Sequence, residues 1–291
     1  MNIDEFLKTI KDLPTIPMVA DEINLNEKKK SLTAKGLSDI ISRDPALTAK
    51  VLKLANSAYY GLAREVGTLD RAVTILGFDT IKSLALTISV FQVFRGPGGK
   101  VPDLAGLWYH SLAVALAARH LAGSTPEGKA NRSLVERAFV GGVLHDIGKI
   151  AIARNLPEEM AGILARAGRE KRPQSAIEKE VLGFAHQEIG AALADSWNFP
   201  EEYLAVIRLH HGPVAAIESV GGQGERILVL SVCLANKIAK ALRLGESTDP
   251  AVEKVVPADL RTLGIGGVFA EIIHRIQDDF QTMREQWSYE G

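Results

Sequence analysis

Signals that open and close helices recur along the whole 291-residue chain, while the alternation and tight turns of hairpins hardly occur, which restricts it to an all-α fold. Asp44 followed by Pro45 is an N-cap with proline at the first helical position. The helix it opens, ALTAKVLKLANS, places Leu47, Val51 and Leu54 on one apolar stripe. Thr68 caps a shorter helix, LDRAVTIL, which stops at Gly77, and another runs from near Asp79 to Phe94. Farther on, Ser175 with Glu178 reads as a capping box for AIEKEVLGFAHQEIG. Two helices are expected after Pro250, and in the second Phe269, Ile272, Ile273, Ile276 and Phe280 stand at helical spacing, suited to closing the core in preference to the alternative, a dimer seam.

The segment RGPGGKVPD, residues 95–103, packs glycine and proline between two long apolar helices, and that composition marks a joint. It divides the chain into a lobe over residues 1–97 and a second over 98–291, a length suited to two lobes. The most apolar stretch, TIKSLALTISVFQVF, carries Lys82 and several hydroxyls and is shorter than the roughly 20 residues that span a bilayer, so it reads as a core helix. No apolar signal region follows the N-terminus, and a cytoplasmic setting is the default expectation. Lys and Arg number 34 against 35 Asp and Glu, a balance that offers no broad electropositive face. The basic clusters in NEKKKS and GREKRP read as solvated loops, so neither nucleic acid nor membrane is expected as a partner. The single cysteine, Cys233, excludes a disulfide framework and reads as a buried, inert thiol.

Chemistry can reside in the histidines. His145 and Asp146 are adjacent in GGVLHDIGK, His210 and His211 are adjacent before Gly212, and His110 and His186 lie in helical sequence on either side. Imidazole and carboxylate are the ligands that divalent transition metals accept. Neighbours on a helix diverge by about 100°, so both members of a doublet reach one centre only if a helix end faces it. The two doublets therefore point to a site between helices. Taken singly, a histidine on an apolar helix is more often a core or surface residue than a ligand, and His120 and His274 are read that way. The residues alone leave convergence of the other five histidines open.

The runs LPTIP, DPALTAKVLKLANSAYYG, TLDRAVTILGFDTIKSLAL, HDIGK, FAHQEIGAALADSWNFP and LHHGP, in this order from about residue 5 to about residue 245, closely resemble the HDOD domain, a bacterial regulatory relative of the HD-type metal phosphohydrolases. The resemblance implies an N-terminal helical bundle packed on an HD-phosphohydrolase-like helical lobe. It also implies a role in signal transduction, where loss of hydrolysis is common. Set beside the HD-GYP phosphodiesterases, the chain keeps His110, His145, Asp146, His186, His210 and His211 at matching motifs, a ligand set for a divalent iron, manganese or zinc. Lys149 resembles the lysine that positions phosphate in active relatives; a lysine snorkelling at a helix edge is the plainer alternative.

Two departures stand out. Asn236 occupies the place of the closing aspartate, and an amide oxygen is a neutral, weaker ligand. The GYP stretch after the histidine pair is absent. The resulting expectation is a regulatory module acting through signalling-protein partners, with a degenerate site that holds a metal, a nucleotide or another phosphate ligand, or nothing. A metal-dependent phosphodiesterase, with Lys149 in a catalytic role, is the alternative.

Overall fold

In the computed structural model, which describes Phe6 and residues 16–95, 104–212, 216–217 and 219–287, all regular structure is helical. The joint expected at residues 95–103 lies, apart from Arg95, outside the described residues, as does most of LPTIP. The first group of helices comprises α1 (Met18–Lys28), α2 (Ala34–Ser42), α3 (Pro45–Ala55), α4 (Leu69–Leu76) and α5 (Phe78–Arg95). Asp44 accepts a hydrogen bond from Leu47 N at 2.9 Å and caps α3, and Thr68 caps α4 in the same way. Past α3, Asn56 clamps the connection: its amide donates to Leu52 O and Val66 O, and its oxygen accepts from Val66 N.

The second group follows: α6 (Leu104–Ser124), α7 (Pro126–Ala130), α8 (Arg132–Leu144), α9 (Ile147–Asn155), α10 (Pro157–Glu170), α11 (Gln174–Leu182), α12 (His186–Ser196), α13 (Glu201–Leu209), α14 (Gln223–Ala241), α15 (Pro257–Thr262) and α16 (Phe269–Gln286). α6 is the axis. It is apolar on nearly every side and buried against α8, α14 and α16, the pattern expected of a helix with no solvent face. Its run of alanines lets neighbours come close. A Cβ placed on Gly142 of α8 would stand 2.4 Å from Ala115 Cα and 2.6 Å from Ala115 N, contacts with backbone that cannot yield. Gly142→Ala should therefore lower stability by about 3 kcal/mol, read from urea unfolding.

α16 buries Ile272, Ile276, Phe280 and Met283 and packs on α6, so the last helix closes the core as its apolar spacing suggests. The two groups meet where α5 packs on α6 and α8. Arg119 of α6 adds a polar tie there. Its guanidinium lies 5.6 Å from the Tyr59 ring and 5.9 Å from the Tyr60 ring and is bonded to buried Glu136. Among the described residues no helix is long and apolar enough to cross a membrane.

The expected capping box at Ser175 does not form. α11 begins at Gln174 after Pro173 without a side-chain cap, and Glu178 turns inward instead. The reciprocal carboxylate bond occurs one helix later, where Glu188 accepts from Ala185 N at 2.6 Å. A cap competes with every other donor within reach, and at Glu178 a buried imidazole won.

Candidate metal centre

Helix ends assemble the site. His145 directly follows the last residue of α8, and Asp146 occupies the turn before α9, so the doublet breaks helical geometry where it must point two side chains one way. His210 directly follows α13 as its C-cap, with His211 next to it, and His186 opens α12. His110 and Asn236 reach in from the middles of α6 and α14. All six residues anticipated as ligands converge.

Asp146 stands at the centre, with a different set of neighbours for each oxygen. Oδ1 lies 3.3 Å from His186 Nε2 and 3.4 Å from His210 Nε2. Oδ2 lies 3.3 Å from His145 Nε2, 3.9 Å from His110 Nε2 and 2.7 Å from Lys149 Nζ. Ligand atoms of Asp146, His186, His210 and His211 fall within 4.8 Å of one another, and those of His110, His145 and Asp146 do likewise. The centre thus has two halves that share one carboxylate.

Outer contacts orient the rings. His210 Nδ1 is 2.8 Å from Ile207 O, His145 Nδ1 is 2.8 Å from Gly142 O, and His186 Nδ1 is 2.6 Å from Glu178 Oε2. Each acceptor places a proton on Nδ1, which turns the Nε2 atoms of all three rings toward Asp146. Glu178 is held in turn by Gln174 Nε2 at 2.7 Å and also accepts from His186 N at 2.8 Å. The capping-box pattern of Ser175 and Glu178 conceals this role, for which the sequence offers only the place of Glu178 eight residues before His186.

The electrostatics follow from burial. His145 and His186 are fully buried, and His110, Asp146, Lys149 and His210 are each 1% exposed. Burial lowers His210 to about 4 and holds His110 and His211 well below the ordinary histidine range, with neighbouring imidazoles adding to the effect. His186 is the exception. Burial opposes its charge, yet the Glu178 carboxylate against Nδ1 and Asp146 near Nε2 push it up to about 9. Asp146, although burial favours its neutral form, is held well below the carboxylate range by His145 and Lys149.

These residues fit a cation. His210 Nε2 and His186 Nε2 face each other at 3.4 Å, an approach that needs positive charge between the two atoms. The upward shift of His186 to about 9 favours a proton in the same place. Asp146 Oδ1, His145 Nε2 and His211 Nε2 are buried without a hydrogen-bond partner, which leaves donor atoms open in both halves of the centre.

Lys149 is a correction to the snorkelling alternative: its ammonium is buried, bonded to Asp146 Oδ2 at 2.7 Å and to Ser247 O at 2.9 Å. Asn236 Oδ1 lies 3.1 Å from His110 Nε2 and accepts from it. Cys233 is buried with Sγ 3.2 Å from Leu209 O, and burial pushes its thiol up to about 12, which agrees with an inert role. His120 pairs with Asp279 at 2.6 Å, and His274 is exposed, both away from the centre.

A loop between α14 and α15 is fastened beside the site by Asp249. Its Oδ1 accepts from Gln174 N and Ala251 N, both at 3.1 Å, and its Oδ2 from Lys240 Nζ at 2.7 Å. Burial works against its ionised form, but Lys240 and then Lys149 hold its carboxyl below the usual value. A carboxylate depressed in the folded state stabilises the protein above the unfolded value of about 4 and loses that contribution as the pH falls through the folded value. Asp249→Asn should thus cost about 2 kcal/mol at neutral pH and nothing in strong acid, which urea unfolding at a series of pH values will show.

Helix ends bring four histidines, and the body of α6 a fifth, around one buried aspartate in a helical fold, the arrangement of a candidate metal centre. The HDOD domain family model matches residues 13–213, and the chain belongs to the HDOD family. An HDOD domain protein of unknown function from Geobacter sulfurreducens is 27% identical in crystal structure, with a TM-score of 0.80 and coverage of 98% of this chain and 97% of that one. A candidate phosphohydrolase from Shewanella amazonensis SB2B is 29% identical, with a TM-score of 0.72 and coverage of 97% and 98%. An uncharacterized protein of Treponema pallidum (strain Nichols) is 26% identical over 233 residues, 80% of this chain; the chain spans only 43% of that protein's length.

Proposed function

We propose that this chain is a signalling module that holds one divalent transition-metal ion in its HD-type site and acts through protein partners, without turnover. The observation that carries the metal reading is the approach of His186 Nε2 and His210 Nε2 beside Asp146 Oδ1, with both Nδ1 atoms tied to fixed acceptors. His186, His210, His211 and Asp146 would hold the ion, and nitrogen with carboxylate suits iron, manganese or zinc. When bound, such an ion polarises a phosphoryl oxygen or lowers the pKa of water.

The other half is less suited to a cation. Lys149 already neutralises Asp146 Oδ2, and His110 Nε2 is committed to Asn236. A neutral amide in place of a carboxylate removes charge that a second ion would need. Calorimetric titration with Mn2+ should show one strong site per chain. His186→Ala should weaken it by about 10-fold to 100-fold and His110→Ala by less than about threefold. Equal losses in both variants, or no binding in the native chain, would defeat the assignment.

The second reading, a metal-dependent phosphohydrolase, draws on the complete histidine set and on buried Lys149, placed to bind an oxyanion. The Shewanella protein's description as a candidate phosphohydrolase supports it. Turnover of a phosphodiester with added Mn2+ that disappears in His145→Ala would replace the regulatory reading by this one.

A further inference from the structure

The loop after α14 does more than connect. Gly245 has φ +71°, and a Cβ on it would stand 2.1 Å from His110 N and 2.5 Å from Tyr109 C, so its backbone lies directly on the helix turn that carries His110. Glu246 N donates to Gly106 O at 2.9 Å, one turn earlier on α6. Ser247 O accepts from Lys149 Nζ at 2.9 Å. Thr248 Oγ1 donates to Gln174 Oε1 at 2.9 Å, and Gln174 in turn holds Glu178, the partner of His186. Five consecutive residues, 245–249, thus touch the supports of both halves of the centre.

We propose that this strap is a gate over the histidine–aspartate site, latched by the Ser247 carbonyl on Lys149 and displaced by an oxyanion that takes the carbonyl's place. The inference rests on reading the centre as a ligand site. Three observations support it. The strap covers the Lys149 side of the site, where His110, His145, Asp146 and Lys149 are at most 1% exposed, so a ligand larger than an ion reaches Lys149 from this side only if a segment moves. A carbonyl oxygen is the weaker acceptor for a buried ammonium, and a phosphate oxygen would make the stronger, charge-assisted bond. On its outer side the strap borders a cleft of about 500 Å³ lined by Leu164, Lys240 and Arg243, which provides room for displacement without disturbing the core.

The test measures access in the metal-free chain. Diethyl pyrocarbonate should modify His110 and His145 slowly in the native protein relative to exposed His274, and about tenfold faster in Gly245→Ala, whose added methyl cannot coexist with the closed strap. Unchanged protection in Gly245→Ala, together with faster hydrogen exchange at the Glu246 amide, would overturn the gate. Should that variant not fold, Thr248→Gly, which removes the tie to Gln174 and relieves the φ of +64° at that residue, decides by the same comparison. Inorganic phosphate should speed exchange of the Glu246 amide in the native chain and not in Lys149→Met; equal response in both would remove the oxyanion from the proposal. Mn2+ titration is read separately. A chain that binds no Mn2+ yet shows strap-dependent labelling refutes the metal reading and keeps the gate, and the reverse pattern refutes the gate alone.

Discussion

Asp146→Ala should destabilise the metal-free protein by about 3–5 kcal/mol, because it leaves the Lys149 ammonium buried without its carboxylate. The same substitution should abolish Mn2+ binding, since Asp146 is the one residue shared by both halves of the centre. Misfolding could mimic the second effect, and a double variant separates the two. Asp146→Ala with Lys149→Met removes both charges, as an apolar replacement of a buried pair generally does without large loss. It should regain most of the stability and none of the metal binding, as followed by urea unfolding and calorimetry. A double variant as unstable as the single one would show that Asp146 serves mainly through the histidines. Recovery of metal binding would remove it from the ligand set.

Glu178→Gln should lower Mn2+ affinity by about 10-fold to 100-fold while leaving the fold intact. The carboxylate fixes the His186 ring through Nδ1 at 2.6 Å and raises its basicity. An amide of the same shape can present its oxygen to Nδ1 but carries no charge to polarise the ring. The carboxylate also favours the protonated form of His186, and a proton there bridges the two facing Nε2 atoms. The variant should therefore lose the upward shift of His186 from its ordinary range toward 9, which NMR titration of the imidazole resonances will report. Weaker metal binding without that change in titration would place the effect of Glu178 elsewhere, in its bond to His186 N.

Much of the helical plan was legible because helix caps are local chemistry. Asp44, Thr68 and the apolar stripe of α16 need only neighbours within a turn or two, and each does what its sequence context suggests. The doublets His145–Asp146 and His210–His211 were informative for a geometric reason: adjacent side chains diverge along a helix, so a shared target demanded helix ends, and helix ends are where they lie. Glu178 misled because Ser175 and Glu178 at the right spacing satisfy a local rule. The competing partner, His186, lies at the start of the next helix, and its distance from Glu178 depends on how α11 and α12 turn against each other.

Local patterns in the chain by themselves determined an all-α fold, and its ordered motifs pointed to an HD-type ligand set, since helix periodicity, caps and residue types are properties of short segments. Only tertiary packing decided that Asp146 would divide its two oxygens between two groups of histidines, that Lys149 would be sealed inside rather than lie at an edge, and that Ser247 would cover it. Those facts depend on how closely α6, α8 and α14 approach and on the path of a loop whose residues carry no repeating pattern. A side chain's distance to a partner some 100 residues away is set by the sum of all the intervening packing, and no short stretch of sequence contains that sum.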